Sequence, residues 1–278
     1  MTKFILGTAQ FGKSYGISNL KKKSAKEKIN QIVRVCKKNK IDLVDISEHY
    51  FTNSVKLNLN KNFKKKIYKF SGFKKNNFKL KINEIIKKEK TMYCLMLHNP
   101  DDLKKSFIYD LKKLIVSLKQ RKYIKKIGVS VYTEQQFWRA SNVFGKHLGV
   151  VQAPINLVDQ RFLNKKFLDF CEINKIEIHA RSIFLQGLLL MKKRPNYFKQ
   201  WSNLFSSWDK IQSISERISI CLNFIKLQKN IHKVILGVLD EKQLIKIINL
   251  YKKNNDINKY LNLNSKDKKL IIPSNWKI

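Results

Sequence analysis

Two sets of residues in this 278-residue chain combine type and spacing in ways that do chemistry. The first is compact. Gly7, Gly12, Lys13 and Ser14 in "LGTAQFGKSYG" spell G-x-x-x-x-G-K-S, the loop whose backbone N–H groups and lysine cradle the phosphates of a nucleoside triphosphate. The second is dispersed: Asp45, Tyr50, Lys69 and His98 lie late in, or just beyond, short apolar runs, and Gln152 and the pair Arg181 and Ser182 take equivalent places further on. A carboxylate, a phenol, an ammonium and an imidazole brought to one place make a proton-transfer site, because each alters the acidity of the next.

The compact pattern fits its own chemistry badly. A phosphate loop turns through small residues and enters a helix at its Lys-Ser pair, whereas here Phe11 stands in the turn and Tyr15-Gly16-Ile17-Ser18-Asn19 breaks a helix. A phosphate-loop triphosphatase stays open as an alternative until the same residues find a better account.

The dispersed set depends on the elements that carry it. Apolar runs reading as buried strands occur at 3–8, 42–46, 66–71, 93–98, 126–131, 149–154, 177–182 and 233–238. Helical periodicity fills the spaces between them. Ile29, Ile32, Val33 and Cys36 fall on one face of "SAKEKINQIVRVCKKN", and Leu103, Phe107, Leu111 and Leu114 on one face of a stretch opened by Pro100 and two acids. Asp240 is an acidic cap before Leu244, Ile247, Ile248 and Tyr251. Strand followed by helix, eight times over about 250 residues, predicts an α/β (β/α)8 barrel in which chemistry gathers at the carboxyl ends of the strands.

Composition narrows the setting. A chain that is 43% hydrophobic with only 9 Gly and 4 Pro can bury a large core, and one domain over 1–278 is the default. No apolar run suits a membrane span, and the N-terminal apolar stretch is short for a secretory signal, so a cytoplasmic protein is expected. Cys36, Cys94, Cys171 and Cys221 are scattered and the five His lack metal-ligand spacing, which predicts free thiols and no metal. The formal charge of +38 tempts a nucleic-acid reading. Only seven of the 58 basic residues are Arg, and the 51 Lys are spread along the whole chain with abundant Asn and Ile. That pattern reads as compositional bias on a solvated surface, attracting polyanions weakly and binding no specific nucleic acid.

The strand-end residues also carry a resemblance. An Asp with a Tyr five positions later, then a strand Lys, then a strand-end His resembles the catalytic tetrad of the aldo/keto reductase superfamily. The opening "LGTAQFG" with a nearby "YGI" is similar to a bacterial branch of it, and the likeness continues through "LMLHNP", "VQAPINLVDQR", "HARSIFLQGLLL" and "VILGVLDEKQL". The resemblance places the first glycines in a barrel's first βα loop and makes the phosphate-loop pattern coincidental. It implies reduction of a carbonyl, with Tyr50 giving the proton, Lys69 lowering the pKa of its phenol, Asp45 pairing with Lys69, and His98 orienting the substrate oxygen.

The same resemblance implies NADP or NAD as cofactor, bound over the barrel mouth without a G-x-G-x-x-G loop. Thr8, Ser130, Gln152, Arg181, Ser182, Gly187, Gly237 and Gln243 are the residues matched to that role, Ser130 and Gln152 for the nicotinamide amide. The chain departs from its relatives in several places. Val131 stands for a second amide-binding Asn, Arg181 for an aromatic that stacks on nicotinamide, Phe51 for a Gly, and no Lys or Arg of the last strand is placed to grip a 2′-phosphate. Lys192, Lys193 and Arg194 offer a substitute clamp or else a solvated loop. Trp138, Trp201 and Trp208 offer a sugar platform or else helix packing, and the segment from Lys192 to Asp209 reads as a lid. Branch membership implies a sugar or nucleotide-sugar carbonyl of surface-polysaccharide synthesis as small-molecule substrate. The altered cofactor positions keep a noncatalytic, nucleotide-binding regulator as the other reading.

Overall fold

The computed structural model describes residues 4–11, 17, 26–47, 53–71, 78–89, 91–103 and 108–278. Each of the eight apolar runs forms a strand: β1 (Phe4–Gly7), β2 (Leu43–Ser47), β3 (Lys65–Phe70), β4 (Met92–Leu97), β5 (Ile124–Ser130), β6 (Leu148–Pro154), β7 (Glu177–Arg181) and β8 (Ile231–Gly237). They pair in parallel and in chain order, and β8 returns to β1 from Phe4↔Val234 to Gly7↔Gly237, closing the barrel. Between them lie α1 (Lys26–Lys38), α2 (Asn53–Asn62), α3 (Phe78–Glu89), α4 (Ile108–Gln120), α5 (Glu134–Phe144) and α6 (Lys165–Ile173). After β7 come α7 (Ser202–Asp209) and α8 (Ile214–Leu227), and after β8 come α9 (Glu241–Tyr251) and α10 (Lys268–Ile271).

The strands read as unbroken apolar runs because both their faces are covered. Inward, Ile5, Leu43, Ile67, Cys94, Met96 and Val150 fill the barrel. Outward, residues such as Leu6, Val44, Leu95 and Val151 pack beneath the helices. Gly128 of β5 makes room in the centre: a Cβ there would stand 2.8 Å from both Cys94 Sγ and Met96 Cε. Burying this much apolar surface is the main favourable contribution to folding.

Two local expectations change. Pro100 and its acids open a separate 3₁₀ turn, Pro100–Asp102, capped by the Asn99 side chain, so they do not form the first turn of α4. The buried face of α4 is Leu111, Ile115 and Leu118, with Leu114 half-buried beside it, while Phe107 lies outside the described residues. The Asp240 cap stands, its side chain accepting from Gln243 N at the start of α9.

The segment from Lys192 to Asp209 is packed rather than poised. Phe198, Trp201, Phe205 and Trp208 are buried, Trp208 Nε1 donates to Leu189 O, and Trp201 Nε1 donates to Asp267. Arg194 makes two hydrogen bonds to the Asp209 carboxylate and lies 4.0 Å over the Phe205 ring. That commits the one arginine of the basic triplet to an ion pair. Trp138 packs edge-on against Phe137 and Phe170. Trp201 and Trp208 are buried packing residues, and Trp138, half-buried against Phe137 and Phe170, has Lys166 Nζ 5.2 Å over its ring. Among the described residues no helix is long and apolar enough to cross a membrane.

Candidate active site

At the carboxyl end of the barrel, β2 and β3 bring an acid and an ammonium together. Ser47 is in register with Lys69, which sets Lys69 two residues above Asp45 on the inward face. Lys69 Nζ lies 2.8 Å from Asp45 Oδ2, and the two side chains are 7% and 2% exposed. Gln152 Nε2, from β6 across the barrel, donates to the same oxygen at 2.8 Å. Thr8 Oγ1 donates to the Asp45 carbonyl at 2.7 Å and holds the backbone from the β1 side. A buried carboxylate survives only when paired and hydrogen-bonded, and here the ammonium and the amide do both. An ammonium has three donors, so Lys69 retains hydrogens to turn toward a neighbouring group.

This pair opens into a cavity of about 320 Å³ that runs from Asp45 and Lys69 past Thr8, Arg181 and Gly187 to Gly237, Gln243 and Lys246. Its floor at the β1–β8 seam is close-packed: a Cβ on Gly237 would come within 2.2 Å of Gln10 Oε1. Its wall after β7 is built from backbone that L residues rarely adopt. Ser182, Leu185 and Gln186 have φ of 55°, 46° and 52°, followed by Gly187 at 95°. Asn156 Nδ2 donates to Ser182 O at 3.0 Å and helps hold that path, and such strain gathers where a ligand must be met by backbone.

A second cavity, of about 500 Å³, adjoins the ends of β3, β4 and β5 and is lined by Ser71, His98, Asp101, Ser130, Tyr132 and Gln136. The capping box of α5 shapes it: Gln136 Oε1 accepts from Tyr132 N and Thr133 N while Thr133 Oγ1 accepts from Gln136 N. Arg181 connects the two cavities. Its guanidinium reaches over the end of β6 to donate to Val131 O at 2.8 Å and lies 4.1 Å over the Tyr132 ring.

A polar cluster occupies the amino-terminal end of the barrel interior. Glu177 accepts from Tyr93 Oη at 2.6 Å, Lys126 Nζ at 2.7 Å and His179 Nε2 at 3.1 Å. Burial works to raise the Glu177 carboxyl, but the hydrogen bonds from His179, Lys126 and Tyr93 overcome it and hold it well below the usual carboxylate range. Burial pushes His179 down, leaving a neutral imidazole that donates through Nε2, and burial with the Glu177 contact pushes Tyr93 up. Proton positions on the ring follow from these partners.

The structure thus gathers Asp45, Lys69, Thr8, Arg181, Ser182, Gly187, Gly237 and Gln243 around one cavity and sets His98 and Ser130 on the next. Gln152 lies fully buried with its amide on Asp45, and Tyr50 lies outside the described residues. Sequence reading missed Gln10, Tyr132, Gln186 and Lys246. Polar residues just past strands β1 and β5 were available as a signal for the first two, whereas one Lys among 51 carried none.

A closed (β/α)8 barrel with a buried acid–ammonium pair at a carboxyl-end cavity is the layout of a barrel enzyme. A sequence model of the aldo/keto reductase family matches residues 3–268, and the chain belongs to that family. It is accordingly an NAD(P)H-dependent oxidoreductase acting on small-molecule carbonyls. No curated protein matches the sequence. Solved structures share the fold: the holo form of an aldo-keto reductase from Bacillus halodurans (12% identity, TM-score 0.69, 93% of this chain and 90% of that one) and the glycerol dehydrogenase of Gluconobacter oxydans (16%, 0.62, 93% and 90%). A point mutant of Gox0644, solved with NADPH, is also similar (14%, 0.64, 95% and 90%). The chain's own residues suit a nicotinamide cofactor: the cavity headed by Asp45 and Lys69 is bordered by glycine backbone at Gly187 and Gly237 and lined by the polar side chains of Thr8, Ser182 and Gln243.

Proposed function

We propose that this protein reduces the aldehyde or ketone of a sugar or nucleotide sugar in the cytoplasm, with Tyr50 as proton donor. The single observation that carries the reading is the buried Lys69–Asp45 pair at the head of its cavity, beside Thr8 and Arg181. The nicotinamide cofactor supplies a hydride to the carbonyl carbon when bound. What the chain must supply is the proton and the geometry. A phenol near its ordinary pKa of about 10 is a weak donor at neutral pH, and an adjacent ammonium strengthens it by stabilising the phenolate. Lys69 fills that role, Asp45 holds Lys69 in place through the ion pair, and His98 donates to the substrate oxygen and sets its orientation. Thr8, Ser182, Gly187, Gly237 and Gln243 are the residues proposed to hold the cofactor, with Ser130 toward its amide and Gln152 acting through Asp45, while Arg181, which the resemblance matched to the same role, is proposed to serve the substrate.

The strongly basic surface, +38 by formal count, supports an anionic substrate class such as a nucleotide sugar, since such a field raises the local concentration of anions. The test joins binding to turnover. Saturable quenching or enhancement of NADPH or NADH fluorescence, displaced by the oxidised form, together with NAD(P)H-dependent reduction of sugar aldehydes, is expected. Tyr50→Phe is expected to retain cofactor binding and lower turnover by about two orders of magnitude or more. Full turnover by Tyr50→Phe overturns the proton-donor assignment.

A further inference from the structure

The cavity headed by Asp45 and Lys69 contains a cation with no carboxylate partner among the described residues. Arg181 is the last residue of β7, 9% exposed, and its partners are neutral: Val131 O at 2.8 Å, Ser182 Oγ at 3.5 Å and the face of Tyr132 at 4.1 Å. Its Nε has no acceptor among the described residues. Lys69 beside it in the same cavity is neutralised by Asp45, so the lining carries net positive charge with Lys246 at its far end. A buried guanidinium without an anion is strongly unfavourable, and the usual resolution is an oxyanion delivered by a ligand.

We propose that Arg181 is the specificity-determining residue for an oxyanionic substituent, carboxylate or phosphate, on the carbonyl substrate. The proposal rests on the reductase reading above. Position argues for the substrate as the source of the anion. The guanidinium lies against Tyr132, a residue lining the cavity of His98 and Ser130, and Arg181 itself lines the cavity of the Lys69–Asp45 pair, so it borders both. Tyr132 is itself held at its backbone by Gln136. The stack and the Val131 bond fix the plane of the guanidinium, so an anion finds a preorganised fork rather than a mobile side chain.

The test uses the full chain and matched probes. NADPH oxidation is followed with D-glucuronate against D-glucose and with glyceraldehyde 3-phosphate against glyceraldehyde, at about 0.15 M salt to screen the diffuse surface charge. The anionic member of at least one pair is expected to have a kcat/KM about tenfold or more above its neutral partner, and the pair that shows it tells carboxylate from phosphate. Arg181→Met is expected to bring that ratio to about one and Arg181→Lys to keep part of it, with NADPH Kd by fluorescence changed less than about threefold. Equal kcat/KM within both pairs for the unaltered protein overturns the proposal, a comparison that needs no variant to fold. A ratio that survives Arg181→Met also overturns it, and so does a loss of NADPH affinity in place of the ratio, which assigns the cation to the cofactor. If no aldehyde turns over, the reductase reading fails separately, and calorimetric titration with D-gluconate and inorganic phosphate decides the anion site: binding lost in Arg181→Met supports it, and equal or absent binding overturns it.

Discussion

Lys69 Nζ and Asp45 Oδ2 lie 2.8 Å apart with both side chains almost wholly out of water, and Gln152 donates to the same carboxylate oxygen. The ion pair is therefore not a surface decoration that salt would dissolve. It is a fixed charge arrangement inside the barrel mouth, where removing one partner exposes the other to the full penalty of burial.

Lys69→Met is expected to destabilise the fold by about 3–5 kcal/mol by leaving Asp45 unpaired, and to lower kcat by about two orders of magnitude or more. The double variant Lys69→Met with Asp45→Leu recovers stability without activity, because neither buried charge is left alone. Urea unfolding beside NADPH oxidation checks both halves. A single variant as stable as the parent shows that the pair is not coupled in the folded state.

The cluster around Glu177 predicts stability that falls toward both ends of the pH scale. Glu177 is held below its ordinary value of 4.5 and His179 below 6.5, so as pH drops through those ordinary values the unfolded chain takes up protons that the folded barrel refuses. Stability is lost on acidification, first below about 6.5 for His179 and then below about 4.5 for Glu177. Tyr93 is raised above 10.0, so its contribution is present below that pH and is lost as pH rises beyond it, where the unfolded phenol ionises first. Thermal melts from pH 4 to 11 are expected to show this dome, and Glu177→Gln to flatten its acidic side. An acid limb of unchanged slope in that variant places the titration elsewhere.

All four cysteines are free and buried, and burial alone pushes the Cys36 and Cys171 thiols up to about 12. Thiolate is the reactive form, so a thiol reagent at neutral pH is expected to modify none of the four in the folded protein within minutes and all four in denaturant. Rapid labelling of one site in the native state, located by mass spectrometry, shows a local opening of the element that carries it.

Much of the fold was legible because burial on two faces leaves a plain mark. Each strand of a covered parallel barrel must be apolar along its length, so the eight runs announced themselves, and polar residues late in those runs marked the functional end. The cap at Asp240 was legible for a local reason, since a side-chain oxygen three residues before Gln243 satisfies an N–H that the helix cannot. The acids after Pro100 misled by the same local logic, because a 3₁₀ turn accepts the same cap as an α-helix.

What the sequence by itself determined, then, is the alternation of elements and the identity of the strand-end residues, both set by periodicities of a few residues. Only the tertiary structure decided who meets whom across the barrel. Gln152 comes to Asp45 over 107 positions, Tyr93 to Glu177 over 84, and Arg181 to Val131 over 50. Contacts of that kind depend on register and closure of the sheet, where a shift of one residue would turn each side chain to the other face. No local pattern records that choice, and it is the choice that puts an ammonium, a carboxylate and a guanidinium without a carboxylate partner among the described residues around one cavity.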